Sequence, residues 1–183
     1  MALQRVHLFA TNTAAAAGGL TWMIVEWILR KHPTLLGAAS GVVAGLVVIT
    51  PAAGFVNITG SIIIGIVSGI LGFGGASYVK FIFNYDDSLD VFGVHGINGI
   101  WGALATGLFA DPDIGSKAGL FYGNPHQFLI QLLSVCVVAA YTAISTFVLI
   151  RITSIVTSGI RVDDESEVKG LDVAIHTERG FEL

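Results

Sequence analysis

Five apolar stretches, each long enough to cross a bilayer, constrain this 183-residue chain more than any other feature. A helix needs about 20 mainly apolar residues to span the hydrocarbon core. The stretches at 9–29, 36–56, 58–83, 88–110 and 127–150 all qualify. Polar or helix-breaking residues separate them: Arg30-Lys31-His32-Pro33, Pro51, Asn84-Tyr85-Asp86-Asp87, Asp111-Pro112-Asp113, and a glycine-rich loop ending at Asn124-Pro125. A soluble helical bundle would need a charged outer face on each helix. Only 12% of residues are charged, where a soluble domain carries about 25%. The sequence therefore predicts an all-α integral membrane protein, with five transmembrane helices in residues 1–158 and a polar tail over 159–183.

Charge divides the chain at the same place. Residues 1–158 hold six basic and six acidic side chains, so the net charge of −4 resides entirely in the tail. Basic residues gather in cytoplasmic loops. With the tail inside, the cytoplasmic side collects Arg30, Lys31, Lys80, Arg151, Arg161, Lys169 and Arg179, against Arg5 and Lys117 outside. The expected orientation is N-terminus out and C-terminus in. No basic cluster points to nucleic acid. The single cysteine, Cys136, precludes an intramolecular disulfide. Met1–Phe9 reads as a lead-in to the first span, since the apolar stretch that follows is too long for a signal peptide.

Glycine indicates how the helices meet. Fifteen of the 23 glycines lie between Gly37 and Gly107. Gly37, Gly41 and Gly45 form one ridge, Gly65 and Gly69 a second, and Gly93, Gly96, Gly99 and Gly102 a slanted stripe at intervals of three. Within lipid, close backbone approach over small residues supplies the packing between helices. A compact bundle is expected.

His95 is the strongest chemical signal. An ionisable side chain within a span is costly and points to function. Neutral imidazole carries one donor and one acceptor, suited to a proton relay or a small polar solute; a hydrogen-bonded structural histidine is the alternative. Asp90, five residues earlier, reads as the cap of the fourth helix. Ser40 and Thr50 are hydroxyls that would ordinarily bond back to helix carbonyls. Glu26, near the inner end of the first span, is expected to reach the interface. Phe73, Phe81, Phe83 and Tyr85 read as lipid-facing or interfacial aromatics. Neither a metal-ligand cluster nor a nucleophile or phosphate loop is present, so no enzyme and no cofactor are expected.

These residues resemble the ammonium transporter (Amt/Rh) family. Asp90-Val91-Phe92-Gly93-Val94-His95-Gly96 is similar to that family's tenth-helix signature. Gly37-Ala38-Ala39-Ser40-Gly41, continuing to Ile49-Thr50-Pro51-Ala52-Ala53-Gly54, resembles its eighth helix, and Thr11 to Ala17 with Leu20-Thr21-Trp22 its seventh. Gly159-Ile160-Arg161-Val162, then Gly170-Leu171-Asp172 and His176, resembles the Amt branch's cytoplasmic regulatory segment. The resemblance runs from about residue 10 to 183, and Met1–Leu8 fit it poorly.

The resemblance implies an eleven-helix inverted-repeat fold, of which this chain holds helices seven to eleven. It implies a homotrimer with one hydrophobic pore per subunit, carrying ammonium or ammonia through the plasma membrane without a cofactor. His95 would be the second of two pore histidines, Val91 an apolar residue beneath it, Ser40 and Thr50 wall residues, and Asp90 an acid at the cytoplasmic pore end. Gly159, Arg161, Gly170, Leu171, Asp172 and His176 would belong to a tail that docks between subunits and couples to PII-class signal proteins. With helices one to six lies the first pore histidine, so the chain alone is expected not to conduct. Two further readings are a non-conducting membrane partner that regulates complete subunits through its tail, and an inactive truncated product.

Overall fold

The computed structural model describes residues 2–178, with side chains from Val6 onward. Among the described residues every regular element is helical. In order these are α1 (Ala2–Arg30), α2 (Leu35–Ile49), α3 (Ile58–Gly74), a π-helical turn at Gly75–Val79, α4 (Lys80–Phe83), a second π-turn at Phe92–Gly96, α5 (Ile97–Phe109), α6 (Pro112–Gly115), α7 (Pro125–Val156), α8 (Asp164–Lys169) and a last π-turn at Asp172–His176. Two compact units divide the chain, Met1–Cys136 and Val137–Leu183.

In the first unit, α1 lies between α2 and α3 and touches both through backbone. A Cβ on Gly45 would stand 2.4 Å from the Ala14 carbonyl oxygen, and one on Gly41 2.5 Å from Trp22 Cβ. From the other side, a Cβ on Gly65 would be 2.5 Å from the same Ala14 oxygen, and one on Gly69 2.7 Å from the Gly18 oxygen. The two glycine ridges thus grip one helix, which is what packing without a hydrophobic drive requires. Around this contact sit two buried clusters. One gathers Ala14, Val48, Ile49, Ala52, Val56, Ile64 and Ala105; the other gathers Trp22, Ala44, Phe73, Ala76 and Val94. Phe73 is therefore a core residue, 2% exposed and edge-on to Trp22, and not the lipid-facing aromatic its neighbours suggest. Phe81 and Phe83 do stand exposed.

Three helical stretches are long and apolar enough to cross a membrane: Val6–Arg30, Ile58–Phe83 and Pro125–Val156. The stretch at 36–56 gives only the 15-residue α2, because Pro51 turns the chain over residues 50–55. The stretch at 88–110 becomes helical at Val91 and passes through the π-turn into α5. The slanted stripe serves two contacts and not one. Gly93 packs against Ala76 and Gly102 against the Val48 carbonyl, whereas Gly99 has nothing within 4 Å among the described residues.

A polar node closes the α6 end of the first unit. Asp111 is 8% exposed. Its carboxylate accepts from the Asp113 amide (3.0 Å), Asn57 Nδ2 (2.9 Å) and the Tyr122 hydroxyl (3.0 Å). Burial pushes this carboxyl up, but the three donors outweigh it and hold it below its ordinary value; the same bond raises the Tyr122 hydroxyl.

In the second unit, Asp163 caps α8 by accepting from the Ser166 amide and hydroxyl, both at 2.9 Å. Those bonds lower its carboxyl. Arg161 donates to both carboxylate oxygens of Glu167 at 2.7 and 2.8 Å. Gly159 and Gly170 take positive φ values of 143° and 92°, backbone that only glycine adopts freely. Leu171, Asp172 and His176 are exposed around the last π-turn. Residues 179–183 of the expected tail lie outside the described residues.

Candidate functional site

His95 belongs to the π-turn Phe92–Gly96, closed by a hydrogen bond from the Ile97 amide to the Phe92 carbonyl, five residues back. An α-helix closes on the fourth residue back, so this turn holds one residue more than a helix needs. Two glycine contacts make the wide turn possible. A Cβ on Gly93 would meet the Ala76 amide nitrogen at 2.5 Å, and one on Gly75 the Gly93 Cα at 2.7 Å. The two π-turns, Gly75–Val79 and Phe92–Gly96, therefore pass in backbone contact. His95 is exposed beside this crossing, as is Val91, which is 51% exposed.

Asn98 was not singled out by the sequence. It is completely buried, and its Nδ2 donates to the Val94 carbonyl at 3.0 Å and to the Gly93 carbonyl at 3.3 Å, both within the turn. Its Oδ1, and the Oγ of buried Ser68 on α3, make no hydrogen bond among the described residues. The only advance signal was a polar amide inside an apolar helix.

Asp90 does not cap the fourth helix. Asp87 does, its carboxylate accepting from the Val91 and Phe92 amides at 2.8 and 2.9 Å. Asp90 instead adopts a left-handed backbone, φ 53°, and pairs with Lys80 at 2.5 Å. That geometry turns its side chain across to α4, away from its own helix start.

The Lys80–Asp90 pair lines a cleft of about 200 Å³ together with Ser40, Glu26, Arg30 and Ser77. Glu26 does not reach the interface; it is 1% exposed. Its carboxylate accepts from the Thr34 amide at 3.0 Å, the Thr34 hydroxyl at 3.2 Å and Arg30 Nη1 at 3.2 Å. Thr34 in turn caps α2 by accepting from the Gly37 amide at 2.9 Å. Arg30 continues to Ser77 Oγ at 2.8 Å. One buried carboxylate thereby ties the end of α1 to the start of α2, and through Arg30 to the first π-turn.

The structure thus brings Ser40 and Asp90 into one cleft and leaves His95 and Val91 on the open surface of the neighbouring helix. Thr50 sits at the opposite end of α2, its hydroxyl donating back to the Leu46 carbonyl at 2.8 Å. Among the described residues no cluster of His, Cys, Asp and Glu could hold a metal ion.

Long apolar helices, packed over glycine, define a multi-pass membrane protein. The Ammonium Transporter Family model matches residues 2–181, so the likeness begins at Ala2 and not near residue 10. An ammonium transporter of Bacillus subtilis is 47% identical over 187 residues, spanning 100% of this chain and 46% of that protein. One from Aquifex aeolicus is also 47% identical, over 94% of this chain and 40% of its own length. The crystal structure of Saccharomyces cerevisiae Mep2 superposes with a TM-score of 0.82 at 34% identity, covering 89% of this chain and 38% of that one. A sensor Amt protein gives a TM-score of 0.84 at 28% identity. The chain belongs to the ammonium transporter family, and it spans less than half the length of these relatives.

Proposed function

We propose that the chain serves in moving ammonium or ammonia across a membrane, as the C-terminal part of a transporter subunit whose pore wall is completed by further helices. The exposure of His95 carries this reading. A polar, ionisable ring held open near the start of the apolar helix that runs from Val91 to Phe109 is costly against lipid. An open His95 beside an open Val91 is accounted for if other protein, with a solute path between, covers that face. In this reading His95 and Val91 line the path, with Ser40 and Asp90 at its Glu26 end and Thr50 as a wall residue further along. Arg30, Lys31 and Lys80 mark that end as cytoplasmic, in the plasma membrane. The subunits would form a homotrimer, and residues 159–183 would dock a PII-class signal protein.

Uptake in proteoliposomes tests the proposal. The chain alone should not admit ammonium, and the chain assembled with the six N-terminal helices of a relative should. His95→Ala in that assembly should abolish uptake or its selectivity over potassium. Uptake by the chain alone at a complete transporter's rate would overturn the dependence on further helices. Failure of the assembled pair, or an indifferent His95→Ala, would overturn the pore reading.

A further inference from the structure

We propose that Asn98 is a positioning residue for His95, its amide holding open the wide turn that sets the direction of the histidine. The inference rests on the reading of His95 as a pore residue. Helix geometry gives the reason. One extra residue in a turn shifts the phase of everything before it by about 100° relative to an unbroken α-helix. The turn at Phe92–Gly96 therefore decides which way His95, Val91 and Asp90 face with respect to α5. Widening a turn also weakens the regular pairing of its carbonyls, which is costly where water cannot enter. Asn98 Nδ2 supplies donors to two of those carbonyls, Val94 at 3.0 Å and Gly93 at 3.3 Å, from a completely buried position.

Two further observations bear on the amide. Its Oδ1 is buried without a partner among the described residues, so the site uses the donor half of the side chain and tolerates the unmatched acceptor. Space is also fitted to it, since a Cβ on Gly72 of α3 would lie 2.9 Å from Asn98 Nδ2. Asn98 is thus clamped between α3 and the carbonyls it serves, on the turn where Gly93 crosses Gly75. An aliphatic side chain here would fill the volume and give neither carbonyl this donor.

The test uses the full chain in lipid nanodiscs with ¹⁵N-labelled histidine. The ring signals of His95 are followed beside those of His7, His32, His126 and His176, and amide exchange is read across residues 92–98. Asn98→Ala should displace the His95 signals and speed exchange in the turn about tenfold, as loss of roughly one hydrogen bond predicts. The other four histidines should not move. Asn98→Ser, whose hydroxyl can reach the carbonyl four residues back, should keep the wild-type pattern. Unmoved His95 signals and exchange in Asn98→Ala would overturn the proposal. A Ser variant as displaced as the Ala variant would overturn it as well. Should Asn98→Ala not fold, the Ser variant decides alone: wild-type His95 signals support the donor role and displaced signals refute it. In the assembly with N-terminal helices, Asn98→Ala should slow uptake and Asn98→Ser restore it. Absence of uptake in the unsubstituted assembly would defeat the transport reading, while the nanodisc result still decides the role of Asn98.

Discussion

Glu26 shows how much a single side chain organises at the Arg30 end of the molecule. It is the acceptor for Thr34 twice and for Arg30 once, and it stands where a Cβ on Gly37 would be 2.2 Å from its Oε2. Glu26→Ala removes the acceptor that fixes the cap of α2, and it should cost about 1–3 kcal/mol. Thermal unfolding in detergent would show this as a lowered midpoint, with Glu26→Gln intermediate. Asp111 gives a pH dependence. Because its carboxyl is held below the ordinary 3.8, the stability it contributes is complete above that value and is lost as pH falls through the folded value. The unfolding midpoint should therefore drop on acidification below about pH 4, and Asp111→Asn should flatten that drop. Neither role was legible in the sequence. Hydropathy treats a carboxylate near a helix end as a residue that escapes to water, and a chain read in one dimension does not show that Thr34 or Tyr122 waits beside it.

Among the helices, the glycines divide into those that touch and those that do not. Gly45 faces Ala14 backbone at 2.4 Å, whereas Gly99 faces nothing among the described residues. Gly45→Ala should force α1 and α2 apart, at a cost of about 1–3 kcal/mol. Gly99→Ala should stabilise the chain by itself by about 0.5–1 kcal/mol, since glycine within a helix is disfavoured to that extent. The ridges Gly37-Gly41-Gly45 and Gly65-Gly69 were legible because their spacing repeats each turn of a regular helix. The stripe from Gly93 to Gly102 meets several surroundings because residues three apart drift by about 60° per step round a helix, so Gly102 reaches the Val48 carbonyl while Gly99 does not. Nothing in the composition of Phe-Gly-Val-His-Gly marks a wide turn; the glycine crossing with Gly75 and the buried Asn98 make it. The capping role falls to Asp87 because Asp90 takes a left-handed backbone and pairs with Lys80.

For the whole molecule, the sequence conveyed the helical membrane class because apolar length is a strong and local signal. It conveyed the family because the Asp90–Gly96 segment and the Gly37–Gly54 segment occur together. Which residues share a cleft was not legible, since Lys80 and Asp90 meet only once two helices are placed. Gly99→Ala has a second outcome at this scale. If further helices cover that face, the substitution that stabilises the chain alone should weaken its assembly with them, measurable as reduced co-purification.

The grip on α1 also has a consequence in time. Gly18 makes backbone contact with Gly45 and Gly69, residues that leave the ribosome well after it does. At usual synthesis rates of about 5–20 residues per second, α1 waits about 3–10 s for its second wall. During that interval its small-residue face lies open to whatever else occupies the membrane, so α1 relies on the insertion machinery until Gly69 arrives.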